Sequence, residues 1–298
     1  MKYYRRKILM AVLQCFGGSL SAIELQKYLF LFTRKQQDNK AFDFIPYKYG
    51  CFSYQVQWDI SALKTKGYLT ENDNVLKISQ SDNYMLMLDM FDQGYLRQLK
   101  TEFEGYTKDA VIRYTYQKFP YYATKSTIAE SVLADFPESL EKIENQKRHF
   151  TEPQLFTIGY EGVSLETYLN KLIINDVHTL CDVRKNAYSQ KYGFTKAQLQ
   201  KECEGVDIKY VHVPQLGIES EKRQELNTQA DYDRLFDEYE KTTLKDNTEA
   251  LQYVRDLIKT DQRVALTCFE KDPKQCHRSR VAAALMRFDD RDYELKLL

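Results

Sequence analysis

Three carboxylates, Glu161, Asp182 and Glu270, each fall beside the end of a short apolar run, and each has an aromatic ring or a cation close in sequence: Tyr160, Arg184 and Phe269. Cleaving an N-glycosidic bond asks for such groups. A carboxylate stabilises an oxocarbenium-like sugar and orients water, while a donor stabilises the departing base. Arg184, Arg278 and Tyr160 are candidates to hold phosphate, base or leaving group. Tyr188, Tyr192 and Phe269 could stack on a base extruded from a duplex. Cys268, Cys276 and His277 add two thiols and an imidazole. Cys276 at the first turn of a helix would favour a thiolate, but a relay to the adjacent His277 is geometrically awkward, and Cys268 reads as a buried structural thiol. The same three residues invite a zinc ion. Yet Cys268 leaves a strand, Cys276 opens the next helix and no fourth ligand has suitable spacing, so neither a metal nor a cofactor is expected.

The elements that must position these groups are legible as βαβ punctuation. Apolar runs at 155–158, 179–183, 209–213 and 264–269 have the length of buried strands. They alternate with helical periodicity at 165–174, 195–204, 231–242 and 248–259, and Thr195 to Gln198 has the spacing of a capping box. This order predicts a Rossmann-like, mostly parallel sheet with helices on both faces. Four polar clusters, Gly159 to Gly162, Asp182 to Arg184, Pro214 to Gly217 and Phe269 to Asp272, all follow strands. The carboxyl edge is where open α/β sheets bind ligands, so the clusters should converge on one cleft.

Taken together, the segments GYEG (159–162), DVRKNAYSQKYGFTKAQL (182–199), YVHVPQLGI (210–218) and CFEKDPKQCHR (268–278) resemble the family known as domain of unknown function 488. The resemblance covers roughly residues 154–290. It implies the α/β fold more firmly than any reaction. A branch of the family with a similar helical N-terminal domain is linked to removing modified bases from phage DNA. Gln190 stands where the resemblance implies an arginine, which weakens phosphate binding at that position.

The N-terminal part reads differently. Residues 1–80 hold 12 Lys/Arg and 6 Asp/Glu, a net +6, in a chain whose formal charge is zero, which marks this part as the one to meet polyanions. Helical stripes run from Arg6 to Phe16 and through the 20s, the second capped by Ser19 or Ser21. Ser53 starts a third helix, and two short strands flank Asn72-Asp73-Asn74. That order is expected to be a winged helix, with Gln55, Gln57, Lys64 and Lys66 on the exposed side of the third helix facing DNA; a protein-docking role is the alternative. Residues 81–150 read as a helical connector whose tyrosines, Tyr106, Tyr114, Tyr116, Tyr121 and Tyr122, either stack on bases or pack. The expected domains are therefore 1–80, 81–150 and 151–298.

Composition bounds the remainder. With 43% hydrophobic and 29% charged residues the chain is that of a globular protein, and no apolar run approaches the roughly 18 residues of a membrane span. The basic start precedes an apolar stretch too short for a secretory core. Six cysteines without a CxxC pair read as reduced thiols of a cytoplasmic protein. The expected function is a DNA-processing enzyme, a glycosylase excising a modified base from phage DNA. The alternative is a non-enzymatic winged-helix transcription regulator that senses a nucleotide-like ligand.

Overall fold

In the computed structural model every residue is described except Met1, Ser81 and Glu225. The chain forms two compact units, Met1–Lys147 and Arg148–Leu298.

The first unit begins with α1 (Tyr4–Cys15), a short strand β1 (Ser19–Ser21) and α2 (Ala22–Lys35). The Ser21 hydroxyl accepts from Glu24 N and Glu24 reaches back to Ser21 N, so the cap falls on Ser21; Ser19 is in the strand. An antiparallel hairpin follows, β2 (Ile45–Tyr47) pairing with β3 (Gly50–Phe52). Then come α3 (Tyr54–Thr65), capped by Ser53, and the hairpin β4 (Leu69–Asn72) and β5 (Val75–Ile78). The strands β1, β5 and β4 make one antiparallel sheet in that order. Leu9, Val12, Leu29, Val56, Ile60, Leu63 and Leu76 form the core, the stripes that helical and strand periodicity predict.

The segment 81–150 is not a separate connector. Its helices α4 (Met90–Glu102) and α5 (Lys108–Lys118) bury Leu96, Leu99, Phe103 and Val111 in that same core. Two short helices, α6 (Ala129–Val132) and α7 (Pro137–Glu144), complete the unit. A 3₁₀ turn at Met85–Met87 precedes α4, which Asp89 caps through its side chain. The tyrosines here mostly pack: Tyr116 is buried with its hydroxyl on Ser126, and Tyr114 and Tyr122 lie against the core.

The second unit is a five-stranded, wholly parallel sheet. Its elements are β6 (Gln154–Gly159), α8 (Leu165–Ile174), β7 (Thr179–Asp182), α9 (Lys196–Glu204), β8 (Lys209–His212), α10 (Gln229–Tyr239), α11 (Thr248–Asp261), β9 (Arg263–Cys268), α12 (Arg278–Leu285) and β10 (Glu294–Leu297). The strand order is β10-β6-β9-β7-β8, all pairs parallel. Leu266 packs in a core with Val254, Ile258, Val281 and Leu285 of α11 and α12. Its neighbour Thr267 instead accepts a hydrogen bond from Tyr168 of α8, so helices cover both faces. The connection leaving β6 crosses to one side of the sheet and the one leaving β9 to the other. These adjacent strands are therefore the topological switch point, where such sheets open a crevice. In this sheet, the exposed edge strand β10 was not announced by periodicity.

No helix among the described residues is long and apolar enough to cross a membrane.

Candidate functional site

The loops after β6 and β9 meet at the switch point. Tyr160 N and Glu161 N both donate to the Phe269 carbonyl, at 3.1 and 2.9 Å. Glu161 Oε2 accepts from Lys271 N at 2.9 Å. Gly159 is required here, because a Cβ at that position would lie 2.0 Å from the Glu270 carbonyl oxygen. Glu161, expected to be catalytic, is exposed and joins one loop to the other.

Asp182 is placed at the carboxyl edge, as strand length predicts, but it is closed off. It is 0% exposed. Its two oxygens accept from Arg184 Nε at 2.8 and 3.0 Å, from Arg184 Nη2 at 2.5 Å and from the Tyr210 hydroxyl at 2.7 Å. Arg184, also buried, donates from Nη1 to the Tyr160 hydroxyl at 2.7 Å and to the Phe194 carbonyl at 2.9 Å. Burial alone would pull the Arg184 guanidinium down, but the hydrogen bonds and charge of Asp182 outweigh it and hold its pKa above the ordinary value. Burial, and then the Asp182 charge, push the Tyr210 phenol up. Tyr160 stacks on Phe194 with ring centroids 4.3 Å apart and meets Phe269 edge-on at 5.4 Å. Asp182, Arg184 and Tyr160 thus form a dry network beneath the edge. Asp182, expected to be catalytic, and Arg184 and Tyr160, expected to bind substrate, are here buried and hydrogen-bonded in one chain, Asp182 to Arg184 and Arg184 to Tyr160.

Above them lies Glu270, whose side chain retains 12% of its exposure. One oxygen pairs with the Arg223 guanidinium; the other, Oε2, lies 3.3 Å from Cys268 Sγ. Phe269 beside it is 42% exposed and Tyr188 is 68% exposed, so both rings are free to meet a planar partner.

The two cysteines meet because the chain between them reverses. Asp272 Oδ1 accepts from Lys274 N, and Pro273–Gln275 forms a 3₁₀ turn that returns Cys276 to the end of β9. Cys276 therefore precedes α12 and does not open it; His277 is the N-cap. Cys268, Cys276 and His277 are all buried, and one ligand atom of each lies within 4.8 Å of the others. Cys268 Sγ is 3.7 Å from His277 Nδ1. His277 Nε2 donates to the Val183 carbonyl at 2.9 Å, which fixes the ring and turns Nδ1 toward the thiols. The Cys276 thiol, then the His277 ring, hold the Cys268 thiol well below its ordinary pKa, while burial and the Cys268 sulfur push Cys276 up. The spacing argument against a metal fails, since it assumed that strand and helix hold the ligands apart.

Arg278 is 2% exposed and donates to the carbonyls of Glu270, at 2.5 Å, and Lys271, at 3.2 Å; its buried Nε has no partner. It shapes the Glu270 loop instead of presenting a surface charge to phosphate. The capping box expected at Thr195 does not close either, because Gln198 Oε1 accepts from Gly193 N and the Thr195 hydroxyl. Sequence reasoning missed Arg223, which lies in an irregular stretch without periodicity. It also missed Tyr210, whose alternation in β8 was the available signal. Next to the Pro214 turn, a cavity of about 350 Å³ is lined by Lys185, Gln215, Glu219, Lys222, Glu238 and Asn247.

In the first unit, Gln57, Lys64 and Lys66 are exposed on or just after α3 and Gln55 is half-buried. Gln55 hydrogen-bonds to the buried Asp59, which is held by Arg5 and Arg6, and Lys64 pairs with Glu71. Of the four, Gln57 and Lys66 are shown in no such contact.

A comparison with curated proteins returns no match to this chain. The family described as domain of unknown function DUF488 matches residues 164–285. That span lies within the C-terminal unit and runs from the cap of α8 through the Cys-His-Arg segment to the end of α12.

Proposed function

We propose that the protein is a DNA-processing enzyme that hydrolyses an N-glycosidic bond, excising a modified base, with Glu270 as the carboxylate that orients water and stabilises the sugar cation. One observation carries this reading. Of the three carboxylates at the sheet edge, Asp182 is buried and Glu161 accepts from the Lys271 backbone, while Glu270 is partly open to solvent, paired with Arg223 and beside an exposed ring. Phe269 and Tyr188 would stack an extruded base. Arg223 holds Glu270 in one orientation as a carboxylate. The test is mass spectrometry of free bases after incubating the full chain with modified and unmodified DNA. A released base supports the reading; tight sequence-specific binding without turnover favours the regulator.

The first unit is the DNA-binding part in this proposal, read as a winged helix. Its support is the order helix, strand, helix, helix, strand, strand around one antiparallel sheet, interrupted by the β2–β3 hairpin. Replacing Gln57 and Lys66 together by alanine is expected to weaken DNA binding about ten-fold, and to flatten the dependence on log salt by about one unit for the lost phosphate contact. Lys64→Ala should do less, since that ammonium already has Glu71. Fluorescence anisotropy across a salt series checks both. Unchanged affinity in the double variant would reassign this face to a protein partner.

A further inference from the structure

Beneath Glu270 the chain gathers more electron-pair donors than the reaction above uses. Cys268, Cys276 and His277 come from the end of one strand and the turn before one helix, and none is exposed by more than 1%. Their ligand atoms are mutually within 4.8 Å. A tetrahedral zinc ion with bonds of about 2.3 Å to sulfur and 2.0–2.1 Å to nitrogen separates those two atoms by about 3.6 Å. The observed Cys268 Sγ to His277 Nδ1 separation is 3.7 Å. The histidine is also set as ligands are: Nε2–H donates to the Val183 carbonyl, which fixes the ring and presents Nδ1. Glu270 Oε2 approaches the same sulfur at 3.3 Å, so a carboxylate and two thiols crowd one spot with a single arginine, Arg223, on the far carboxylate oxygen.

We propose that Cys268, Cys276 and His277 bind one thiophilic divalent cation, of the Zn²⁺ class, leaving a fourth position for water beside Glu270. Two sulfurs and one imidazole suit zinc over magnesium or calcium, which take oxygen ligands. Three protein ligands with an open fourth position are the pattern of catalytic sites, and a Glu that is not itself a ligand can accept the proton of the bound water.

Metal content is read without any substrate, so this site stands or falls apart from the reaction proposed above. The full chain, kept reduced, is stripped with a chelator, reloaded with Zn²⁺, exchanged into metal-free buffer and analysed by elemental mass spectrometry. One zinc per chain is expected. Cys268→Ser and Cys276→Ser should each lose it, and Glu270→Gln should retain it. Loading with Co²⁺ should give the sulfur-to-cobalt charge-transfer absorption of a two-thiolate tetrahedral site. That spectrum decides the matter in the unaltered chain even if the serine variants do not fold. A folded, reduced wild-type chain that retains no zinc overturns the proposal, as does zinc persisting in the folded double serine variant. Loss of zinc in Glu270→Gln would make Glu270 a ligand and overturn the open position.

Discussion

Asp182→Asn is expected to destabilise the C-terminal unit by about 3–5 kcal/mol, because removing one partner of a buried ion pair leaves the other charge uncompensated. The asparagine carbonyl oxygen can still accept one of the hydrogen bonds from Arg184 or Tyr210. Its amide group, however, sets N–H donors against the Arg184 donors that now reach the carboxylate. Arg184 would keep Tyr160 and the Phe194 carbonyl but no counter-charge, in a place where it is 5% exposed. For a unit of this size the loss corresponds to a fall in melting temperature on the order of 10 °C. Thermal and urea unfolding measure it. Pairing the change with Arg184→Met, and Asp182→Leu in place of asparagine, should recover much of the stability, since an apolar pair of similar volume avoids the buried charge. An Asp182→Asn protein that melts with wild type yet loses activity would return Asp182 to the catalytic groups.

That result bears on what was legible in the residues. The alternation of apolar runs and helical stripes located β6 to β9 and α8 to α11 within a few residues, because buried parallel strands and amphipathic helices write their periods directly into sequence. The same logic placed four polar clusters at one sheet edge. It does not report depth. Asp182 and Glu270 both fall close to the ends of apolar runs, yet Asp182 is the last residue of β7 and sealed with Arg184 and Tyr210, while Glu270 lies past the end of β9 on a loop held by Arg278. Only the third dimension separates them. The cysteine pair failed for a related reason. A reversal at Asp272-Pro273 shortens the path from Cys268 to Cys276, and a tight turn leaves a weaker mark than a period. In the N-terminal unit, capping residues and stripes fixed the helices, but the packing of α4 and α5 onto α1 and α2 is a long-range choice that no local pattern announces. The edge strand β10 is exposed throughout and lacks the burial that would have given it a readable alternation.

Glu270→Gln is expected to lower base release by about 10²- to 10⁴-fold while leaving the fold and the affinity for DNA near wild type. A carboxylate matters most where positive charge develops on the sugar, in the transition state and not in the bound ground state. Glutamine keeps the shape and one oxygen for Arg223, and the Glu270 backbone carbonyl stays clamped by Arg278, so the loop should hold its course. Far-ultraviolet circular dichroism and unfolding curves would verify this independently of turnover. Arg223→Ala tests the same carboxylate from the other side. Without its guanidinium, Glu270 loses the group that fixes its orientation, so the rate should fall, though by less than in Glu270→Gln. Single-turnover assays on modified duplexes separate binding from chemistry. Undiminished base release by a folded Glu270→Gln protein would remove Glu270 from the reaction and, with Asp182 sealed and Glu161 tied to the loop, would sink a carboxylate mechanism at this edge of the sheet.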